Sequence, residues 1–292
     1  MLWFLLVILA AFLWALVDLS GKFVMDKEVG DAFLAAGTSG IPEFLILTFV
    51  ALYFSGIITS LSVIIPSLSV GVFYAVALYT YYLGVEEEDI DRFVPTLSLT
   101  TIFTLFLAYF FLGESFSLLV YLGIVGIIAG AVLISMKGIH TFQSKKGFLI
   151  GILTALLFSL RDVILKFATM NVSFWSVLFW VGVGGSLTSL FFLLFRFSVV
   201  EKSFTGEKHL LEIGFLATFG YLTYVIAISL GPVSLVGAMI KVKILMVFLG
   251  STAISRVHPE IIYEKLDKIT IIQKLIAIIV IILGVFLIQM FS

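Results

Sequence analysis

Long apolar stretches alternate with short polar connections along the whole chain. Each stretch is close to the roughly 20 apolar residues that a helix needs to cross a bilayer, and short connections favour antiparallel neighbouring helices. The stretches predict about ten transmembrane helices. They cover approximately residues 2–25, 33–58, 66–84, 93–112, 118–136, 147–169, 173–196, 209–230, 233–254 and 270–291. The predicted fold class is an all-α polytopic membrane protein.

The composition excludes a soluble protein. Hydrophobic residues make up 62% of the 292 residues and charged residues 12%, against roughly 25% charged residues in an average soluble domain. The net charge is −1 and the basic residues form no patch, so no nucleic-acid partner is expected. The chain has no cysteine, which excludes disulfides and thiolate metal sites.

The two halves of the chain carry similar residues in the same order. The anchors are Asp18 and Lys22 with Asp162 and Lys166, Tyr74 with Tyr221, Pro95 with Pro232, Leu112-Gly113 with Leu249-Gly250, and segment 130–136 with 284–290. They predict a duplication into residues 1–140 (helices one to five) and residues 141–292 (helices six to ten). Five helices per unit would orient the units oppositely. This is the inverted-repeat plan of many secondary transporters, whose substrate site lies near the membrane midplane.

Three motifs in the first half belong together. They are Leu13-Trp14-Ala15, the span that opens Pro95-Thr96-Leu97 and closes Leu112-Gly113-Glu114-Ser115, and the glycines Gly123, Gly126 and Gly130. Together they resemble the drug/metabolite transporter superfamily in its ten-helix form with two EamA-type repeats. In the second half Ser251 stands where that family usually has Glu. The resemblance implies a multi-pass protein of a prokaryotic plasma membrane that binds a small molecule.

A narrower resemblance concerns the ninth span. Its opening, Ser234-Leu235-Val236-Gly237-Ala238-Met239-Ile240-Lys241, is similar to the Gly-Ala-Leu-Asn-Lys motif of nucleotide-sugar transporters, a related branch. Met239 and Ile240 replace the Leu and Asn of that motif, so only the two small residues and Lys241 carry over. In that branch the motif helps to hold the nucleotide.

The membrane orientation stays open. The Lys and Arg of the connections fall on the side where the first span ends, here called the basic side, and the opposite side, with both termini, is the terminal side. The positive-inside rule would make the basic side cytoplasmic. Superfamily members, however, mostly have both termini in the cytoplasm.

Charged residues inside the spans are the candidates for function, because a charge at membrane depth rarely persists without a task or a partner. Asp18 shares a helix face with Lys22, and Asp162 shares one with Lys166, which predicts two carboxylate–ammonium pairs. The inverted arrangement predicts two mouths. One would hold Asp18, Lys22 and Glu43, and the other Arg161, Asp162, Lys166, Lys241 and Lys243.

Lys241 and Lys243 lie about 200° apart around a continuous helix, so only one of them is expected to face the cavity. We predict that this is Lys241, and that Lys243 has a partner on another helix. The predicted substrate-binding residues are Lys241, Arg161, Trp14, Tyr74, Tyr221 and Tyr224. The predicted gating or proton-coupling residues are Asp18, Lys22, Glu43, Asp162 and Lys166. The alternative is structural: each Lys neutralises a nearby Asp, and the aromatic side chains pack in the core.

The predicted function is a secondary transporter that moves a small polar, anionic metabolite by alternating access, driven by proton coupling or exchange. One alternative is an exporter of amino acids or amphipathic drugs, and one of another class is a non-transporting membrane scaffold or receptor. An enzyme is not expected, because the three histidines lack metal-ligand spacing and no Gly-rich nucleotide loop is present. No cofactor or metal is predicted. The expected partners are the substrate, the lipid bilayer and a coupling proton, in a monomer or homodimer.

Overall fold

The structure, a computed structural model, describes residues 2–27, 31–54, 60–87, 93, 96–135, 144–196, 204–257 and 268–292. The helices within these ranges are α1 Leu2–Lys27, α2 Ala32–Phe54, α3 Leu61–Glu87, α4 Leu99–Leu112, α5 Leu118–Ser135, α6 Lys145–Asn171, α7 Phe174–Arg196, α8 Phe204–Leu230, α9 Val233–Met239, α10 Val242–Val257 and α11 Lys268–Phe291.

Most of these helices are long and apolar enough to cross a membrane. Eight candidate spans meet that criterion, one of which joins α9 and α10. Two shorter apolar helices, Leu99–Leu112 and Leu118–Ile134, stand where the fourth and fifth spans are predicted. Large apolar side chains are exposed on outward faces, such as Phe110 on α4 and Ile279 on α11, as a lipid-facing surface requires. The prediction of an all-α polytopic membrane protein is confirmed.

Local sequence explains several helix ends. α4 ends at Gly113, whose φ of 70° lies in the left-handed region that only glycine adopts at little cost, and whose N–H donates to the carbonyl of Ala108. α6 begins after Ser144, whose hydroxyl accepts a 3.0 Å hydrogen bond from the N–H of Gly147. Each signal sits where the hydrophobic pattern stops.

The predicted ninth span is broken, and the expectation of one continuous helix over 233–254 is wrong. α9 starts after Pro232 and ends at Met239, and a turn at Ile240 and Lys241 separates it from α10. Through this turn the N–H of Lys243 bonds to the carbonyl of Ile240 at 3.1 Å, three residues back, in the tighter 3₁₀ pattern. Because of this turn, the side chains of α10 point in other directions than they would on one continuous helix.

The largest helix contacts join the two predicted units. α2 packs on α7 and α5 packs on α11, α3 packs on α6 as α1 packs on α8, and α3 packs on α7 as α2 packs on α8. Each of these helices has a counterpart five spans along the chain: α1 with α6, α2 with α7, α3 with α8 and α5 with α11. If every helix is replaced by its counterpart, the same set of helix pairs results. The division into residues 1–140 and 141–292 stays a prediction.

Glycines let α7 approach α2 and α3 at backbone distance. A Cβ added to Gly182 of α7 would lie 2.8 Å from the backbone nitrogen of Thr48 on α2. A Cβ on Gly71 of α3 would lie 2.1 Å from the carbonyl oxygen of Val181 on α7. Small residues at such contacts allow the tight packing on which helix association in membranes depends. These contacts set the positions of α2 and α3, which carry part of the site.

Candidate functional site

A cavity of about 160 Å³ lies inside the helix bundle. Its walls come from α1, α2, α3, α6, α8, the chain just before and at the start of α4, and the broken segment α9–α10. Six charged residues line it: Asp18, Glu43, Arg161, Asp162, Lys241 and Lys243. Three acids and three bases therefore share one space.

The prediction of two separate mouths is wrong for these residues. Glu43 is 1% exposed and Arg161 4%, whereas the side chains of Asp18 and Lys243 are each 26% exposed. Asp18 lies about two thirds of the way along α1, toward the basic side, so the cavity runs from a buried floor near Glu43 and Arg161 to an entrance near Asp18. The spans are long enough to carry charges of both units to the middle of the bundle, where the two predicted clusters meet.

Arg161 and Asp162 form a buried ion pair at the cavity floor. The Arg161 Nη2 and Nε atoms lie 2.7 and 2.8 Å from Asp162 Oδ1. The Tyr224 hydroxyl donates to Asp162 Oδ2 at 2.8 Å. Both carboxylate oxygens therefore have a donor, which is what allows a charge to stay buried.

The predicted pair of Asp162 with Lys166 is wrong, because Lys166 points elsewhere. Its ammonium donates to the carbonyl oxygens of Ile228 and Gly231 at 2.9 Å, and to that of Ser229 at 3.3 Å. These carbonyls lie at the carboxyl end of α8, where they have no helical partner. Lys166 is not among the residues that line the cavity. Its position is that of a helix cap.

Asp18 finds its partner on another helix. Its Oδ2 lies 2.8 Å from the Lys243 ammonium. Asp18 is therefore the partner on another helix that the sequence predicts for Lys243. The expected pair of Asp18 with Lys22 stays a prediction, because the Lys22 side chain lies outside the described residues. The same ammonium lies 5.8 Å from the centre of the Trp14 ring. This pair closes one wall of the entrance.

Both Lys241 and Lys243 line the cavity, which contradicts the expectation that only one could. The separation of about 200° holds only on a continuous helix, and the turn at Ile240 and Lys241 interrupts the helix. Lys241 is 8% exposed, and its ammonium donates to the carbonyl of Leu97 at 3.0 Å.

Glu43 is held by an aromatic side chain. The Tyr74 hydroxyl donates to Glu43 Oε1 at 2.6 Å. Arg161 lies over the Tyr74 ring, with 4.6 Å between the guanidinium carbon and the ring centre, a distance at which a cation and an aromatic face attract. Tyr221 packs on Tyr74 at 4.4 Å between ring centres and is fully buried behind it, outside the cavity lining.

Trp14 and Tyr224 both line the cavity, with 4.9 Å between their ring centres. Sequence reasoning missed several other polar lining residues, which are Ser39, Tyr81, Tyr82, Ser98 and Thr100. Ser98 and Thr100 follow the Pro95-Thr96-Leu97 motif directly, so the motif marks the place. Within the described ranges, no group of three His, Asp or Glu residues is arranged to hold a metal ion.

The comparisons with known proteins concern the family and the fold. Residues 1–136 match the EamA-like transporter family. A solved crystal structure, one of 28 matching chains, has a TM-score of 0.77 and 16% identity to this chain, over 98% of each chain. Identity at that level shows a shared fold and nothing more. No curated protein matches significantly. Residues 1–136, just under half of the chain, thus match the EamA-like transporter family of the drug/metabolite transporter superfamily, and this match together with the long apolar helices indicates a multi-pass membrane transporter.

Proposed function

We propose that this protein is a secondary transporter that moves a small polar metabolite with a negatively charged group across a prokaryotic plasma membrane by alternating access. The observation that carries the proposal is the Lys241 ammonium in a membrane-embedded cavity, hydrogen-bonded to a backbone carbonyl rather than to a carboxylate. This observation favours a transporter over a scaffold or receptor, for which a closed core with every charge paired is expected.

The pairing of the other cations singles out Lys241. Arg161 is bound to Asp162 and Lys243 to Asp18, each at less than 3 Å. An ammonium has three donors, and the described hydrogen bond to Leu97 uses one of the three at Lys241. The remaining donors can serve a carboxylate or phosphate oxygen of a substrate.

Two hydroxyls beside Lys241 support the same location. Ser98 and Thr100 line the cavity next to Leu97, are 3% and 7% exposed, and have no hydrogen-bond partner among the described residues. A buried hydroxyl without a partner is costly, and an oxyanion would accept from both. We propose that the substrate's charged group lies between Lys241 and these hydroxyls.

The aromatic wall favours a second candidate, an exporter of amino acids or amphipathic drugs. Trp14, Tyr74, Phe158 and Tyr224 all line the cavity and would hold an apolar body. In this alternative the substrate is selected by its ring or chain, and its charge matters less.

We propose Glu43 as the proton-coupling group. Of the three carboxylates at the cavity, Asp18 and Asp162 are held in ion pairs, whereas Glu43 accepts from the neutral Tyr74 hydroxyl. A carboxylate without a bound cation loses no ion pair when it takes up a proton. Protonation of Glu43 would remove a negative charge from the cavity wall and so would favour binding of an anionic substrate.

The test of anion recognition is a thermal-shift screen of purified protein against matched sets of anionic, neutral and zwitterionic metabolites, followed by uptake of each hit into proteoliposomes. A ligand that binds only the folded state raises its apparent stability. Lys241→Met should weaken binding of anionic hits about tenfold or more, the loss expected for a charge-assisted hydrogen bond. The matched control is Lys208→Met, at an exposed lysine of α8. Undiminished uptake by Lys241→Met would reject the anion assignment and favour the aromatic alternative.

The test of proton coupling uses Glu43→Gln, which keeps the shape and the acceptor for Tyr74 but cannot ionise. Accumulation driven by a pH gradient should be lost, while exchange of internal for external substrate continues. The control is Glu212→Gln, at an exposed glutamate of α8. Gradient-driven accumulation that survives in Glu43→Gln would show that the proton is carried elsewhere.

A further inference from the structure

The corner between α8 and α9, residues 228–234, is held by charged side chains from two other helices. Lys166 reaches it from α6, and Glu114 reaches it from the chain that follows α4. Neither residue lines the cavity. The corner lies on the terminal side of the membrane, opposite the cavity entrance near Asp18.

Glu114 binds the start of α9 with both carboxylate oxygens. Its Oε1 accepts from the N–H of Val233 at 2.7 Å, and its Oε2 accepts from the N–H of Ser234 at 3.0 Å. The first N–H groups of a helix have no partner within the helix, and hydrogen bonds to an ionised acceptor are among the stronger ones in proteins. The two bonds join the chain that follows α4, in the predicted first unit, to the start of α9, in the predicted second unit.

Lys166 binds the end of α8 in the complementary way, with donors on three backbone carbonyls. A cation at the carboxyl end of a helix and an anion at the amino end both match the helix dipoles. The two side chains therefore bind the same corner, Lys166 at the end of α8 and Glu114 at the start of α9.

The corner is also packed against the first turn of α1. A Cβ added to Gly231 would lie 2.7 Å from Cγ of Trp3, so the indole sits directly on this glycine. Elements from α1, α4, α6, α8 and α9 meet here, and Ser234 is fully buried among them. The corner is therefore a place on the terminal side where several helices are held together.

We propose that Glu114 and Lys166 form a latch that keeps the terminal side closed while the cavity faces the basic side, and that the latch must release for the cavity to open the other way. The inference rests on the proposed alternating access. It assigns both residues a role in positioning the corner rather than in touching substrate.

The predicted second unit does not repeat the contact made by Glu114. Gly250-Ser251 matches Gly113-Glu114, so Ser251 stands in the place of Glu114 on the basic side. The Ser251 hydroxyl donates to the carbonyl of Phe248 in its own helix at 3.0 Å. Ser251 lies within α10 and has no carboxylate that could accept from two backbone N–H groups as Glu114 does.

The test uses single-cysteine reporters, to which a chain without native cysteine is well suited. Ser234→Cys places a thiol behind the latch with almost no change in shape, and Val17→Cys places one in the cavity wall. The measurement is the rate at which a water-soluble maleimide labels each thiol in purified protein in detergent. A buried thiol reacts in proportion to the population of the state that exposes it.

We expect Glu114→Gln and Lys166→Met each to speed labelling of Ser234→Cys about tenfold, the change that corresponds to about 1.4 kcal/mol. Labelling of Val17→Cys should stay at or below its starting rate, because a state open to the terminal side withdraws the cavity from the basic side. The controls are Glu212→Gln and Lys208→Met, which remove the partners of an exposed pair on α8.

Two outcomes would overturn the latch. One is labelling of Ser234→Cys within twofold of its starting rate in both variants. The other is faster labelling of both reporters together with a lower Tm, which would mean that the two residues only stabilise the fold. A failure of alternating access is seen separately. In that case the protein without further changes would fail to exchange internal for external substrate in proteoliposomes, whereas a failure of the latch alone leaves that exchange intact.

Discussion

Removing the Arg161 side chain should be the most destabilising single charge change in the cavity. Arg161 is 4% exposed and Asp162 1%, and they lie 2.7 Å apart. Arg161→Met keeps much of the side-chain volume but leaves the Asp162 carboxylate buried with only the Tyr224 hydroxyl as a described donor. Loss of one partner of a buried pair costs about 3–5 kcal/mol, because the other charge stays behind.

The magnitude can be converted into a shift in Tm. For chains of this size each kcal/mol corresponds to a shift of roughly 2–4 °C, so Arg161→Met should lower Tm by at least about 6 °C. The double variant Arg161→Met/Asp162→Leu removes both charges and should recover most of that loss, since a buried pair and an apolar substitute are often equally stable. The measurement is thermal unfolding in detergent, followed by intrinsic fluorescence.

The pair at the cavity entrance supplies the matched comparison. The Lys243 ammonium lies 2.8 Å from Asp18 Oδ2, close to the 2.7 Å between Arg161 and Asp162. Unlike that buried pair, the side chains of Lys243 and Asp18 are each 26% exposed. Solvent weakens such a pair to about 1 kcal/mol or less, so Lys243→Met should lower Tm by no more than about 4 °C. A Tm of Arg161→Met within 2 °C of the parent protein, or equal to that of Lys243→Met, would refute the reasoning from burial.

Three further predictions concern glycines and can be checked by the same unfolding measurement. Gly71→Ala should be strongly destabilising or prevent folding, because its Cβ would lie 2.1 Å from a backbone oxygen of α7. Gly126→Ala should be neutral or stabilising by up to about 1 kcal/mol, since its nearest neighbours lie at 3.6 Å and alanine is the better helix former. Gly113→Ala should cost about 1–2 kcal/mol, because its φ of 70° is unfavourable for alanine although nothing lies within 4 Å. Equal effects at Gly71 and Gly126 would contradict the packing argument.

The fold was accessible from the sequence because membrane burial leaves a simple signal. Every stretch of about 20 apolar residues has one dominant explanation, and helix positions agree with the predicted spans within several residues. The embedded charges were accessible for the same reason. Asp18, Glu43, Arg161, Asp162 and Lys241 all reach the cavity.

The partners of those charges were not accessible, because they depend on contacts between helices. Spacing along one helix suggested Lys166 for Asp162, yet Lys166 is used at the end of α8, and Asp162 takes the adjacent Arg161. Likewise, no local pattern joins Asp18 to Lys243, which are brought together by the packing of α1 on α10.

The break after Met239 was missed for a different reason. Ile240 and Lys241, at the turn, are residues that continue helices readily, and no proline or glycine occupies the turn itself. The break is therefore set by tertiary contacts, among them the bond from Lys241 to Leu97 and that from Thr101 to the carbonyl of Gly237. A helical wheel drawn for residues 233–254 treats them as one helix, whereas the folded chain forms two separate helices, α9 and α10.

The backbone contacts of α7 have a consequence for the transport cycle. As described from Phe174 to Arg196, α7 contributes no residue to the cavity wall, yet it touches α2 and α3 through glycines with no side chain between. Backbones in direct contact have no side chains between them that could rearrange when one helix slides along another. We therefore expect α2, α3 and α7 to move together as one rigid frame. The hydrogen bond between Glu43 on α2 and Tyr74 on α3 lies inside that frame and should keep its length throughout the cycle, whereas the Asp18–Lys243 distance, set by helices outside the frame, should vary.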